Sequence, residues 1–170
     1  MLSARLLFLL MLAVGWGAAS SAQTATDKPE DLTDQIITGA WADPAKCNSG
    51  NAMRVTFKDA VRGIDIARGE CVSITAYWAG RALFGNRADA NAPKSSVSDR
   101  LSGRRVGIYA NERTFISAPR KPQLFTIIGT YASCLTEWRG AMMVLGYCHF
   151  SDGPFLKVSE TMAADRRNAR

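Results

Sequence analysis

The 170-residue chain contains 21 lysines and arginines against 15 aspartates and glutamates, which gives a formal net charge of +6 at pH 7. Hydrophobic residues make up 47% of the chain and charged residues 21%, a balance that excludes an intrinsically disordered protein. The length suits one domain with its own core, and beyond the N-terminal segment no apolar run is long enough to predict a membrane span.

The first 22 residues have the pattern of a cleavable export signal. Arg5 precedes an apolar run from Leu6 to Val14, and the small residues Ser20-Ser21-Ala22 lie before the expected cleavage point. The apolar run is shorter than the roughly 20 residues that cross a bilayer as a helix. We therefore predict a mature chain that begins near Gln23 and lies outside the cytoplasm, in the periplasm or, alternatively, secreted.

Residues 23–52 are predicted to form an N-terminal helix followed by a loop. Pro29 begins a helical pattern with acidic residues in its first turn, and Gly39 ends it. Ile36 and Ile37 lie on the apolar face of this helix. The residues after Gly39 are rich in Asp, Asn, Gly and Pro, which predicts a loop.

A capped helix followed by a strand is the best organised part of the sequence. Thr56 is a suitable N-cap for a helix with apolar residues at helical spacing, and Gly69 is the expected stop. The strand then runs from Cys71 to Trp78 with a period of two. Its apolar face is predicted to carry Val72, Ile74 and Ala76.

Further strands alternate with loops along the rest of the chain. Residues 81–85 predict a short second strand, and residues 86–103 a long surface loop. Gly129 lies within an apolar strand pattern and predicts a bulge. The remaining strands are expected at residues 104–110, 123–131, 141–150 and 154–159, with a charged tail at 163–170.

Two segments resemble the start of OB-fold-type small barrels of exported bacterial proteins. They are Thr56-Phe57-Lys58-Asp59-Ala60-Val61 and the run from Arg68 to Ala76, which place a helix before a glycine and a first strand of the form V-x-V-x-G. Ala76 stands where that pattern has glycine. The run from Phe125 to Gly129 repeats the strand pattern and would fit the fourth strand of such a barrel.

The resemblance covers about residues 54–131 and concerns the fold alone. It implies a mostly β chain in which residues 53–162 form a small OB-like barrel with one or two short helices. Barrels of this type bind nucleic acids, sugars or proteins, so the resemblance transfers no functional residue to this chain.

Four cysteines in an exported chain predict two disulfides. The short separations favour Cys47 with Cys71 and Cys134 with Cys148, although a crossed pairing would suit a barrel equally well. No Cys-x-x-Cys motif occurs and the chain has one histidine, so neither a metal site nor a cofactor is predicted.

The sequence motifs give little support to the hypothesis that this protein is an enzyme. The string from Gly146 to Phe150 sets His149 beside Cys148, but neighbouring residues of a strand point to opposite faces and are badly placed to exchange a proton. No catalytic residue is therefore predicted. The alternative function is a small periplasmic hydrolase that uses His149 or a pair of carboxylates.

A binding face is the stronger functional candidate, because aromatic rings beside arginines suit stacking, sugar faces or protein contacts. The alternative is that the aromatic residues belong to the core and the arginines solvate its rim. The predicted ligand-binding residues are Tyr77, Trp78, Arg81, Phe84, Arg104, Arg105, Tyr109 and Arg113.

Residues 94–121 form a basic segment with seven basic and two acidic residues. Such a segment suits nucleic acid or an anionic surface, or else is a solvated loop region. The preferred interpretation of the whole chain is an exported, non-catalytic binding or envelope-associated module. Its partner would be a protein, a glycan or another envelope ligand, with nucleic acid as the less favoured alternative.

Overall fold

Four short helices and eight strands form the regular secondary structure of residues 35–92 and 104–164, the part of the chain that this computed structural model describes. The predicted export signal, residues 1–22, lies outside the described residues. The strands are β1 (Ile36–Ile37), β2 (Met53–Val55), β3 (Cys71–Ala79), β4 (Ala82–Phe84), β5 (Arg105–Tyr109), β6 (Gln123–Ser133), β7 (Met143–Val144) and β8 (Pro154–Ala163). The helices are α1 (Phe57–Arg62), α2 (Arg87–Asn91), α3 (Glu112–Ile116) and α4 (Cys134–Glu137), with a 3₁₀ turn at Tyr147–His149.

Five of the strands close into a mixed barrel. Around the barrel the order is β3, β4, β5, β8 and β6, and β6 pairs back with β3 to complete the circle. β5 and β8 run parallel, whereas the other four neighbouring pairs are antiparallel. The prediction of a mostly β fold built on a small barrel is confirmed.

Alternate residues of the strands fill the barrel. In β3 the predicted period of two is confirmed, since Val72, Ile74 and Ala76 are buried and the residues between them are more exposed. Trp78 continues the buried series and is fully enclosed. The other strands add to the same cluster Leu83, Val106, Ile108, Ile127 and Leu156.

α1 begins at its predicted cap and ends earlier than predicted. Thr56 accepts a hydrogen bond at 3.2 Å from a backbone N–H of the first turn. The helix ends at Gly63 and not at Gly69, because Gly63 takes a left-handed φ of 62° and its N–H bonds back to the Ala60 carbonyl. The Tyr131 hydroxyl donates to the same carbonyl at 3.0 Å and attaches the helix to the barrel.

The predicted bulge at Gly129 is confirmed. The pairing of β6 with β8 changes register between Ile128 and Gly129. A bulge bends the strand and increases its local twist. β6 can thus pair along its length with β3 at one edge and with β8 at the other, which closes the barrel.

The prediction of a helix that ends at Gly39 is wrong for the described residues of that segment. Ile36 and Ile37 form β1, which pairs in parallel with β7. The Leu145 N–H donates to the Ile37 carbonyl at 2.8 Å, so pairing with a distant segment decides the backbone here and overrides the local apolar period.

The long loop predicted over residues 86–103 contains α2. The Asn86 side chain caps this helix by accepting a hydrogen bond from the Asp89 N–H at 2.8 Å. Residues 93–103 lie outside the described part of the chain. A capping side chain thus places a helix where composition alone predicted a loop.

Two boundaries near the C-terminus also differ from the predictions. The strand predicted over residues 141–150 is reduced to β7, and the 3₁₀ turn follows it. β8 continues to Ala163, past the predicted ends at 159 and 162, and the Ala164 N–H donates to the Leu124 carbonyl at 3.1 Å. Residues 165–170 of the predicted tail lie outside the described residues.

Both favoured disulfides are confirmed, Cys47 with Cys71 and Cys134 with Cys148. The first joins the loop before β2 to the start of β3, and the second joins α4 to the 3₁₀ turn. Two structural disulfides indicate a non-cytoplasmic, oxidising environment. Within residues 35–92 and 104–164, no helix has the length and apolar character that a membrane span requires.

Glu137 at the end of α4 joins two distant parts of the chain by ion pairs. Its carboxylate lies 2.8 Å from Arg68 Nε and 2.7 Å from Lys157 Nζ. Burial by itself would raise the pKa of the Glu137 carboxyl, but the hydrogen bonds and charges of Lys157 and Arg68 outweigh it and hold the pKa below its ordinary value of 4.5.

The Glu137→Gln variant is therefore expected to lower the free energy of unfolding at pH 7 by about 1–2 kcal/mol, because both ion pairs are lost. The loss stays moderate because Arg68 is largely exposed and solvent screens its pair. A group with a lowered folded-state pKa stabilises the fold above the unfolded-state value, and this stability is lost as the pH falls through the folded-state pKa. Urea unfolding at pH 7 and pH 3 should show a larger deficit at the higher pH. The exposed Asp152→Asn substitution is the control, and an equal Glu137→Gln deficit at both pH values would contradict the charge explanation.

Candidate functional site

A cavity of about 750 Å³ lies on the outer face of the barrel, against β4 and β5. α2 contributes one wall, and the cover segment, which we define as residues 143–150, contributes another. Most of the lining is apolar, with a few polar and charged groups among small residues. The side chains that define its chemistry are Arg81, Phe84, Asp89, Arg105, Tyr147 and Phe150.

The register of β4 and β5 makes room for the Tyr147 ring beside the cavity. Phe84 pairs with Arg105, and Ala82 pairs with Gly107, so two small residues lie side by side on the outer face. The Tyr147 ring lies directly on Gly107, where an added Cβ would overlap ring atoms. Close approach by an aromatic ring therefore requires glycine at position 107.

Tyr109 holds the cover segment against β5. Its hydroxyl donates to the Leu145 carbonyl at 2.8 Å and accepts from the Cys148 N–H at 3.0 Å. Burial raises the pKa of the Tyr109 phenol, so the hydroxyl stays protonated and able to donate at neutral pH. The Cys134–Cys148 disulfide adds a covalent attachment to the same segment.

Arg105 is the most unusual residue of the site, because it is charged and only 7% exposed. Its guanidinium carbon lies 5.3 Å from the centre of the Tyr147 ring, a cation–π distance. Its Nε has no hydrogen-bond partner, and among the described residues it is the only buried side-chain nitrogen or oxygen atom in that state. Burying an ion without a partner costs several kcal/mol, which makes this position a candidate for ligand contact.

Tyr147 does not neutralise the Arg105 charge. Burial raises the pKa of its phenol above the ordinary value of 10, although hydrogen bonds with Ser151 and Arg105 and the charge of Arg105 oppose the rise. The phenol is therefore uncharged at neutral pH. Within the described part of the chain, Arg105 forms no ion pair with a carboxylate.

Two further charged residues line the cavity. Arg81 is exposed, and its guanidinium carbon lies 5.0 Å from the centre of the Phe115 ring. Asp89 accepts a hydrogen bond from the Asn86 side-chain amide at 2.9 Å. Neither Arg81 nor Asp89 has an ion-pair partner among the described residues, so the lining has two positive charges and one negative charge.

Three of the predicted ligand-binding residues, Arg81, Phe84 and Arg105, meet at this cavity. Trp78 does not, because it points into the barrel and donates from Nε1 to the Gly80 carbonyl at 2.9 Å. Neighbouring residues of a strand face opposite sides, so Tyr77 and Trp78 cannot share one surface.

The other predicted residues lie elsewhere on the molecule. Tyr77 packs on the outer face of β3, and Tyr109 is fully buried behind the cover segment. Arg104 and Arg113 are exposed and do not line the cavity. These arginines were predicted to share one binding face with Arg81 and Arg105, but strand direction and helix position separate them from the cavity.

Sequence reasoning missed the residues that the cover segment brings to the cavity. Tyr147 and Phe150 lie in the segment from Gly146 to Phe150, in which Cys148 and His149 alone were considered from the sequence. The two aromatic side chains of this segment are the ones that line the cavity. Asp89 lies in the part of the chain predicted as a loop. A separation of about forty residues between β5 and the cover segment hides the contact from any local pattern.

The Cys148-His149 string does not form a nucleophile and base. Cys148 is bonded to Cys134 and has no free thiol. His149 is exposed, and its ring lies edge-on to Phe150 with centres 4.5 Å apart. Residues 35–92 and 104–164 contain no group of three His, Cys, Asp or Glu side chains placed to hold a metal ion.

The basic segment, residues 94–121, is divided in the structure. Lys94 and Arg100 lie outside the described residues, and Arg105 is buried in the cavity wall. The four remaining basic residues are exposed, and they are Arg104, Arg113, Arg120 and Lys121.

The cavity differs from a second one of similar volume, which is lined by residues of β2, β3 and β6. That second cavity has a more polar lining, in which Thr75 and Thr126 hydrogen-bond to each other at 2.9 Å. A buried cation with no ion pair among the described residues therefore distinguishes the first cavity.

The chain matches no protein-family model, no curated protein and no solved structure.

Proposed function

We propose that this protein is an exported, non-catalytic binding module with an OB-type barrel, and that it binds a small ligand in the cavity over β4 and β5. The observation that carries the proposal is the 750 Å³ cavity, which brings Arg81, Phe84 and Arg105 together. Ligand sites are concave, mostly apolar cavities of about 300–1,000 Å³ with a few polar groups that fix orientation.

The strand order supports the OB assignment. In chain order the barrel strands are β3, β4, β5, β6 and β8, and the fourth of them lies beside the first. This is the Greek-key order, and the OB fold is a five-stranded Greek-key barrel. Its usual binding surface is the face of the second and third strands, which here are β4 and β5.

The export assignment rests on the N-terminal signal pattern and is supported by the two disulfides. A binding role is favoured over hydrolysis because the cavity presents aromatic and aliphatic walls, whereas His149 lies outside its lining.

Naphthalene-2-carboxamide, an uncharged aromatic probe, is expected to bind in the cavity of the mature protein. Ala90 of α2 lines the cavity, so the Ala90→Phe variant should fill it and weaken binding by about tenfold or more. Titration followed by NMR should place the shifted amide signals at β4, β5 and the cover segment.

The matched control is Ala88→Phe, which adds the same ring to an exposed position of the same helix, outside the lining. Binding should survive this change. No binding to the wild type, or equal binding by both variants, would refute the cavity as the site.

A further inference from the structure

We infer that the ligand of this cavity is a small carboxylate on an aromatic or similarly broad apolar body, and that its carboxylate is bound by Arg105. The inference rests on the proposed function, since it names the ligand class for the same site. The evidence is the state of Arg105 together with the charges and rings around it.

Arg105 has no carboxylate partner among the described residues. Its side chain is more than nine-tenths buried, it lines the cavity, and its Nε has an unused proton. A guanidinium presents its donors in a planar fork that matches a carboxylate and forms two parallel hydrogen bonds with it. A carboxylate bound where Arg105 lines the cavity would neutralise the buried charge.

The charges of the lining favour a single negative charge on the ligand. Arg105 and Arg81 contribute two positive charges, Asp89 contributes one negative charge, and the Tyr147 phenol is uncharged. The excess is one positive charge. A dianionic phosphate would retain a net negative charge near Asp89, whereas a carboxylate leaves the cavity neutral.

The walls favour an apolar body with a flat face. Tyr147 is fixed in place, because its ring lies on Gly107 and under the Arg105 guanidinium. Phe84 contributes a buried ring beside it, and Phe150 is an exposed ring that also lines the cavity. Rings of this kind stack with a flat apolar group better than with a hydrated sugar or a flexible polar chain.

The test compares naphthalene-2-carboxylate with naphthalene-2-carboxamide, which have nearly the same shape and differ in charge. The wild type is expected to bind the carboxylate about tenfold more tightly or better, because charged hydrogen bonds are the stronger ones. In Arg105→Gln the two probes should bind within about twofold of each other, so the preference for the carboxylate is lost. Arg104→Gln is the matched control, since Arg104 is the exposed neighbour outside the cavity, and it should keep the full preference.

Each outcome has a distinct meaning. Equal binding of both probes by the wild type overturns the carboxylate assignment and leaves the proposed binding function standing, whereas failure of both probes overturns the proposed function. Tighter binding of 2-naphthyl phosphate would also overturn the assignment. If Arg105→Gln does not fold, Arg81→Gln gives the second test. Arg81 is exposed, and the loss of its positive charge should weaken carboxylate binding by about two- to threefold.

Discussion

Gly129→Ala is expected to lower the free energy of unfolding by about 3 kcal/mol or more, or to prevent folding altogether. An added Cβ at this bulge would overlap the Lys157 carbonyl oxygen and would lie 2.9 Å from its carbonyl carbon and 3.0 Å from Val158 Cα. All three atoms are backbone atoms of β8, so no side chain can rotate away. The β6–β8 pairing would have to separate at the point where the barrel closes.

Urea unfolding compares this variant with wild type and with Gly39→Ala. Gly39 has no atom within 4 Å of its added Cβ, so the control makes the same chemical change in open space. The control should stay within about 0.5 kcal/mol of wild type. A Gly129→Ala protein of wild-type stability would show that the bulge tolerates a side chain and that close approach is not the reason for glycine there.

The fold was predictable where a local pattern and the global structure agree. The period of two in β3 identified the buried face, because each strand residue lies either inside or outside the barrel. Gly129 identified a bulge because glycine inside an apolar strand has few other uses. The disulfide pairs followed from short separations, which here coincide with neighbouring elements.

The errors arise where distant contacts decide the local structure. Ile36 and Ile37 were predicted to lie on the apolar face of a helix, but they pair with β7 as a strand. Tyr77 and Trp78 were placed on one surface, although strand geometry sends them to opposite sides of the sheet.

The candidate site was predictable only in part, and for the same reason. Phe84 and Arg105 are register partners, so the antiparallel pairing of two consecutive strands was enough to bring them together. Tyr147 reaches them from a segment that no local pattern connects to β5. The burial of Arg105 depends in part on this contact, so the sequence listed Arg105 as a candidate for ligand binding and did not predict that it is buried.

Removal of the Cys134–Cys148 disulfide is expected to lower both stability and binding in the cavity. The bond closes a loop over a sequence separation of 14. Without it the unfolded chain gains conformational entropy, which lowers the free energy of unfolding by about 3 kcal/mol. The same bond fixes the cover segment, which carries Tyr147. The Cys134→Ser/Cys148→Ser variant should therefore also bind naphthalene-2-carboxamide about tenfold more weakly, because the cavity loses one wall.

The other disulfide separates these two effects. Cys47–Cys71 has a sequence separation of 24, so its loss should also cost about 3 kcal/mol. Neither of its cysteines lines the cavity, and Cys47→Ser/Cys71→Ser should retain probe affinity under conditions where it is folded. Equal loss of affinity in both variants would mean that binding follows global stability. Undiminished affinity without Cys134–Cys148 would mean that the noncovalent contacts between the cover segment and β5 suffice to hold Tyr147 in the cavity wall. These contacts include the Tyr109 hydrogen bonds and the packing of Tyr147 on Gly107.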